Sequence, residues 1–85
     1  MVETVIYGTA YCPFCIQAKA LLEKKGVDYQ EIRVDLQPLL RREMMERSNG
    51  GRTVPQIFIG DTHVGGCDEL FALERQGRLD PLFNS

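Results

Sequence analysis

The sequence has no tryptophan, one histidine and three cysteines, and no uninterrupted apolar run longer than about four residues. Crossing a bilayer as a helix takes roughly 20 apolar residues, so a transmembrane helix is excluded. Three cysteines are too few, and an odd number, for the disulfide framework of a small secreted domain. Charge of one sign is also missing: ten basic residues face twelve acidic ones, for a net charge of −2. Without a basic block there is no electrostatic footprint for a nucleic acid or an anionic membrane surface. Met1-Val2-Glu3-Thr4 carries neither a basic nor an apolar stretch, so no secretion signal is visible there and a cytoplasmic location is expected. There is no internal repeat and no low-complexity segment.

What is present is ordinary for one globular domain spanning 1–85, with 44% apolar and 26% charged residues. A chain this short buries a modest core and depends on well-matched elements. Val2, Val5 and Ile6, with Tyr7, form a β-prone run ended by Gly8-Thr9-Ala10. Pro13 suits the first turn of a helix, where its missing N–H costs nothing. Ala18, Leu21 and Leu22 then share one helical face up to Lys25, and Gly26 is a natural stop. A second strand is predicted over 27–34, with imperfect alternation. Pro38 starts a second helix, carrying Leu40 and Met44, that ends at Asn49-Gly50-Gly51. Residues 55–59 and 62–64 flank Gly60-Asp61 as a hairpin. After Gly65-Gly66, Asp68 stands where an N-cap belongs, before a helix with Leu70, Phe71 and Leu73. Gly77 ends that helix, and Leu79, Pro81, Leu82 and Phe83 are expected to tuck back onto the core. The order is β-α-β-α-β-β-α. It predicts a four-stranded mixed sheet flanked by helices on both faces, opening with a right-handed parallel crossover.

The chemistry concentrates in Cys12-Pro13-Phe14-Cys15, where a strand gives way to a helix. Free backbone N–H groups and the positive end of the helix dipole favour a thiolate at such a position. They can bring a cysteine pKa from about 8.5 into the range ~3.5–7.5. Cys15 lies one turn deeper on the same side, close enough to close a disulfide. Cys12 is therefore assigned as nucleophile and Cys15 as resolving thiol. The gain in attack rate is small, because a ~30-fold rise in thiolate fraction is offset by a similar fall in nucleophilicity. The gain as leaving group survives, so the helix start sets redox poise. Zinc is the rival reading, with Cys67 and His63 completing a Cys₃His set. His63 lies in a predicted strand without partner spacing, and no resident metal is expected.

Two further segments are less specific. In Thr53-Val54-Pro55 the proline opens a strand, which is unremarkable on sequence alone. Gly65-Gly66-Cys67-Asp68 reads as a turn and helix start, and equally as a backbone nest for a carboxylate. Cys67 by itself reads as a buried small residue.

Taken together the chain resembles the glutaredoxins, and among them the small bacterial dithiol members. The likeness runs nearly end to end through Ile6-Tyr7, Cys12-Pro13-Phe14-Cys15, Lys25-Gly26-Val27, Thr53-Val54-Pro55-Gln56-Ile57-Phe58-Ile59-Gly60, Gly65-Gly66-Cys67-Asp68-Glu69-Leu70 and Gly77-Arg78-Leu79. The resemblance implies a thioredoxin fold with Pro55 in cis. It implies a glutathione-dependent thiol–disulfide oxidoreductase acting on protein disulfides and glutathione mixed disulfides, with Cys12 forming the mixed disulfide. Glutathione would lie among Thr9, Tyr11, Phe14, Thr53, Val54, Pro55, Gly66, Cys67 and Asp68. Val54 would pair its backbone with the glutathione cysteine. The γ-glutamyl carboxylate would sit on the N–H groups of Cys67 and Asp68, with the Asp68 side chain on the ammonium. Arg41 or Arg42 would meet the glycine carboxylate. Asn49-Gly50-Gly51 looks one residue longer than is usual in the family.

Thr9 stands where many members carry a lysine, so that charge is missing. Tyr11 places a ring beside Cys12, to stack on substrate or shield the thiol. Phe14 keeps the ring of the commoner tyrosine and loses its hydroxyl. A monomer is expected. The clients would be disulfide-containing or glutathionylated proteins, ribonucleotide reductase among them by family analogy. The alternatives are a redoxin fed by thioredoxin reductase, which Gly66-Cys67-Asp68 argues against, and an iron–sulfur cluster carrier, which Pro13 argues against.

Overall fold

The computed structural model describes residues 2–84. Its elements are β1 (Thr4–Gly8), α1 (Pro13–Lys24), β2 (Gln30–Arg33), α2 (Pro38–Arg47), β3 (Gln56–Ile59), β4 (Thr62–Gly65), α3 (Cys67–Arg75) and a short α4 (Asp80–Phe83). One four-stranded sheet has the order β2-β1-β3-β4. β1 pairs parallel with β2 and antiparallel with β3, and β3 pairs antiparallel with β4. The expected mixed thioredoxin-type sheet is therefore present. No helix among the described residues is long and apolar enough to cross a membrane.

Strand periodicity places the core on both sheet faces. Ile6, Ile57 and Ile59 point to one face and meet Ala18, Leu21 and Leu22 of α1, Cys67 and Leu70 of α3, and Leu79. Val5, Tyr7 and Phe58 point to the other and meet Val34 and Met44 of α2. The C-terminal tail tucks back as expected, with Leu79 buried and Leu82 and Phe83 packed against the first cluster.

β2 is shorter than the predicted 27–34, because Val27 and Tyr29 turn to the α1–α3 side while Val34 is buried on the α2 side. A second correction concerns α3. Gly66, not Asp68, is its N-cap, with extended backbone (φ −100°, ψ −162°), and Asp68 is the second helical residue. The Gly66 N–H donates to Glu69 Oε1 at 2.7 Å, which satisfies one orphan donor of the helix start.

The three long helices end alike. Gly26, Asn49 and Gly77 each follow the cap with positive φ (70°, 56° and 69°). The next residue donates back over the last turn: Val27 to Leu22 at 3.0 Å, Gly50 to Met45 at 2.7 Å and Arg78 to Leu73 at 2.9 Å. This is the Schellman arrangement, which satisfies carbonyls otherwise left without donors. No neighbour crowds a Cβ at Gly26 or Gly77, so the backbone conformation alone selects glycine there. Urea unfolding of Gly26→Ala and Gly77→Ala should each show a loss of about 1 kcal/mol with an unchanged m value.

Candidate active site

Cys12 is the N-cap of α1, and Pro13 follows at the first helical position. As a thiol, Cys12 closes no cap hydrogen bond; its Sγ lies 3.9 Å from the Val54 carbonyl oxygen. Partial burial pushes its pKa up. The backbone N–H of Cys15, the Cys15 thiol and the backbone N–H of Phe14 outweigh that by stabilising the anion, so the net direction is downward. The helix start thus has the sense expected from the sequence.

Cys15 behaves oppositely. It is 1% exposed. Burial, above all, pushes its thiol up to about 11; the Thr9 backbone N–H opposes this, and the Cys12 thiolate, as hydrogen-bond partner and as charge, adds to it. Lys19, ion-paired with Glu31 at 2.9 Å, draws it down. The sulfur rests on the end of β1: a Cβ at Gly8 would stand 2.9 Å from Cys15 Sγ. Only glycine leaves room for it there. The two thiols share a helix turn, and their pKa values move in opposite directions because one borders solvent and the other is sealed under the sheet.

A groove of about 280 Å³ opens beside them, lined by Phe14, Thr53, Val54, Pro55, Gly66, Cys67, Asp68 and Glu69. The Val54–Pro55 peptide bond is cis. Its far wall is the first turn of α3, where the acidic residues are Asp68 and Glu69. Cys67 is buried in the core, its Sγ 3.8 Å from Gln17 Oε1. Burial raises its pKa, and the charges of Asp68, Cys12 and Glu69 raise it further, so it stays a thiol. Cys67 is thus the buried small residue that its type suggests.

Of the residues singled out in the sequence, Phe14, Thr53, Val54, Pro55, Gly66, Cys67 and Asp68 come together in this groove. Thr9 acts through its backbone on Cys15. Tyr11 is 91% exposed, so its ring stands in solvent rather than over the thiol. Arg41 donates to the Arg52 carbonyl at 3.4 Å, one residue before Thr53, whereas the groove lining includes neither Arg41 nor Arg42. The Cys₃His set is not assembled: His63 is bonded to Gln56 and stacked on Phe58. Among the described residues no group of three or more His, Cys, Asp or Glu could hold a metal ion. Sequence reasoning missed Glu69 as a groove residue; its place three residues after Gly66 was the available capping signal.

A sequence model of the glutaredoxin family matches residues 4–64. A glutaredoxin of Pseudomonas aeruginosa is 59% identical over 85 residues, covering 100% of both chains. Glutaredoxin 3 of Escherichia coli is 52% identical over 82 residues, covering 96% of this chain and 98% of the relative. Among solved structures, glutaredoxin from Brucella melitensis superposes with a TM-score of 0.84 at 54% identity, over 98% of this chain and 89% of that one. A buckwheat glutaredoxin–glutathione complex does so with a TM-score of 0.88 at 32% identity, over 98% of this chain and 77% of that one. With the redox motif at a helix start, the groove beside it and these matches along its whole length, the chain belongs to the glutaredoxin family of glutathione-dependent thiol–disulfide oxidoreductases.

Proposed function

We propose that Cys12 attacks and Cys15 resolves, with glutathione held in the groove between Thr53-Val54-Pro55 and the start of α3. The observation that carries this is Cys12 at the helix start with its sulfur 3.9 Å from the Val54 carbonyl of that groove, its pKa drawn down while that of buried Cys15 is pushed up. In the monothiol route, the Cys12 thiolate attacks the glutathione sulfur of a mixed disulfide. A Cys12–glutathione disulfide forms, and the client leaves as a thiolate that takes up a proton. A second glutathione thiolate then attacks the bound glutathione sulfur, releasing oxidised glutathione and the Cys12 thiolate. In the dithiol route Cys12 joins a client disulfide, and Cys15 attacks Cys12 to release the client. Two glutathione molecules then reduce the Cys12–Cys15 disulfide.

The order of these steps follows from the electrostatics. While Cys12 is a thiolate, it helps keep Cys15 protonated. Once Cys12 is in a disulfide, its negative charge and its acceptor role are gone. Burial still holds Cys15 up, but the Thr9 N–H and Lys19 then act unopposed by Cys12. Cys15 thus becomes a better nucleophile only after Cys12 has captured a client.

For glutathione itself, the free first-turn N–H groups of Cys67 and Asp68 suit the γ-glutamyl carboxylate, since the Gly66 N–H is already taken by Glu69. The Asp68 carboxylate suits the ammonium, Val54 offers a backbone edge, and Arg41, which reaches the Arg52 carbonyl next to Thr53, or Arg42 suits the glycine carboxylate. The other ligand neighbours in this reading are Thr9, Tyr11 and Phe14. The same reading has the protein acting as a monomer in the cytoplasm, without a resident metal. Its clients are disulfide-containing or glutathionylated proteins, with ribonucleotide reductase taken from family analogy.

Two measurements test the roles. Glutathione-coupled reduction of a glutathionylated peptide should vanish in Cys12→Ser and persist in Cys15→Ser, while reduction of a protein disulfide should fail in both. Activity surviving Cys12→Ser would overturn the assignment. Iodoacetamide labelling against pH should show Cys12 reacting with a midpoint below that of an ordinary cysteine thiol. Cys15 should stay unlabelled until the pH approaches about 11. The sign follows because alkylation consumes the thiolate, whose population rises as pH passes each pKa.

A further inference from the structure

Gln56 is a polar side chain only 6% exposed, at the start of β3. A buried amide must find partners or carry a desolvation cost. Gln56 finds them in two directions. Its Nε2 donates to the Thr53 carbonyl at 3.0 Å, and its Oε1 lies 2.7 Å from His63 Nε2. The Thr53 carbonyl can only accept, so the amide orientation is settled. Oε1 is then the acceptor, and His63 Nε2 carries the hydrogen.

The histidine is held in turn. Its ring stacks on Phe58, with centroids 4.8 Å apart and planes 22° from parallel. Arg47 lies 4.3 Å from the centre of the Phe58 ring, and Tyr7 meets that ring edge-on at 5.8 Å. From this platform a hydrogen-bonded chain runs through His63 and Gln56 to the loop before β3. The loop wraps Gln56 closely: a Cβ at Gly51 would come 2.9 Å from Gln56 Nε2.

The peptide bond between Thr53 and Val54 is planar and trans, so its carbonyl and its N–H point in opposite directions. A carbonyl fixed toward Gln56 aims the Val54 N–H away from Gln56. That N–H and the Val54 carbonyl beside Cys12 Sγ are the two groups a strand-like ligand would pair with.

We propose that Gln56 and His63 are positioning residues that set the orientation of the Thr53–Val54 peptide and thereby the docking of glutathione; this rests on the reading that glutathione pairs with Val54. Neither touches the reacting sulfur atoms. Their effect is on capture of the ligand rather than on the chemistry of Cys12.

Two substitutions of exposed His63 separate hydrogen bonding from packing. His63→Phe keeps a ring on Phe58 and removes the donor, whereas His63→Gln keeps a donor and removes the ring. With glutathionylated peptide, His63→Phe should raise KM about five- to tenfold with kcat within about twofold of wild type. The Cys12 thiolate absorbance should titrate as in wild type. His63→Gln should restore KM to within about twofold. An unchanged KM in His63→Phe, a fall in kcat alone, or a His63→Gln as impaired as His63→Phe would each overturn the proposal.

The Val54 amide resonance tells a failure of this inference from a failure of the docking reading. In wild type it should shift on addition of oxidised glutathione; without that shift, docking on Val54 fails. In His63→Phe without glutathione, the Thr53 and Val54 amides should move from their wild-type positions. If they do not, the positioning role fails whatever docks there.

Discussion

The active site depends on how α1 meets the end of β1. β1 is one of the two central strands, paired on both sides and buried along its length. Its last residue is Gly8, and the Cys15 sulfur occupies the place where a side chain would stand. That contact seals Cys15 under the sheet. Since Cys12 precedes Cys15 by one helical turn, the same contact holds Cys12 at the rim, where its sulfur faces the Val54 carbonyl. A side chain at Gly8 would lift the helix start, and both sulfurs would move with it.

Burial and polarity then divide the labour between two identical side chains. Desolvation is the largest influence on each thiol and acts upward on both. At Cys12 the exposure is greater and the helix N–H groups prevail; at Cys15 burial prevails. Lowering the pKa of Cys12 does little for its rate of attack, because nucleophilicity falls as the thiolate population rises. It makes the sulfur a better leaving group toward any attacking thiol.

The groove gathers segments with little connection along the chain. Phe14 comes from α1, Thr53-Val54-Pro55 from the loop before β3, and Gly66 to Glu69 from the start of α3. The sheet order β2-β1-β3-β4 brings them together, because β1 and β3 are neighbours despite the long connection between them. From residues alone Pro55 is an ordinary strand-opening proline; only the place of that loop beside Cys12 makes it part of the site. A polar residue before an apolar run is the usual cap signal, and it points to Asp68. Here an extended glycine starts the helix two residues earlier, and Glu69 supplies the capping acceptor from inside the first turn.

The sequence by itself determined the kind and order of the strands and long helices, though not the bounds of β2 and α3, and the redox motif. β-prone runs, proline at helix starts, the turns at Gly26, Asn49 and Gly77, and two cysteines one turn apart all obey rules that act within a few residues. The end-to-end likeness to glutaredoxins extended that reading to glutathione. What only the tertiary structure decided is which groups face one another across the fold. The Cys12 sulfur meets a carbonyl 42 residues away, Cys15 is sealed by Gly8, and Gln56 ties His63 to Thr53. These depend on desolvation and on hydrogen bonds whose partners are set by packing, and such partners leave no periodic trace in the chain.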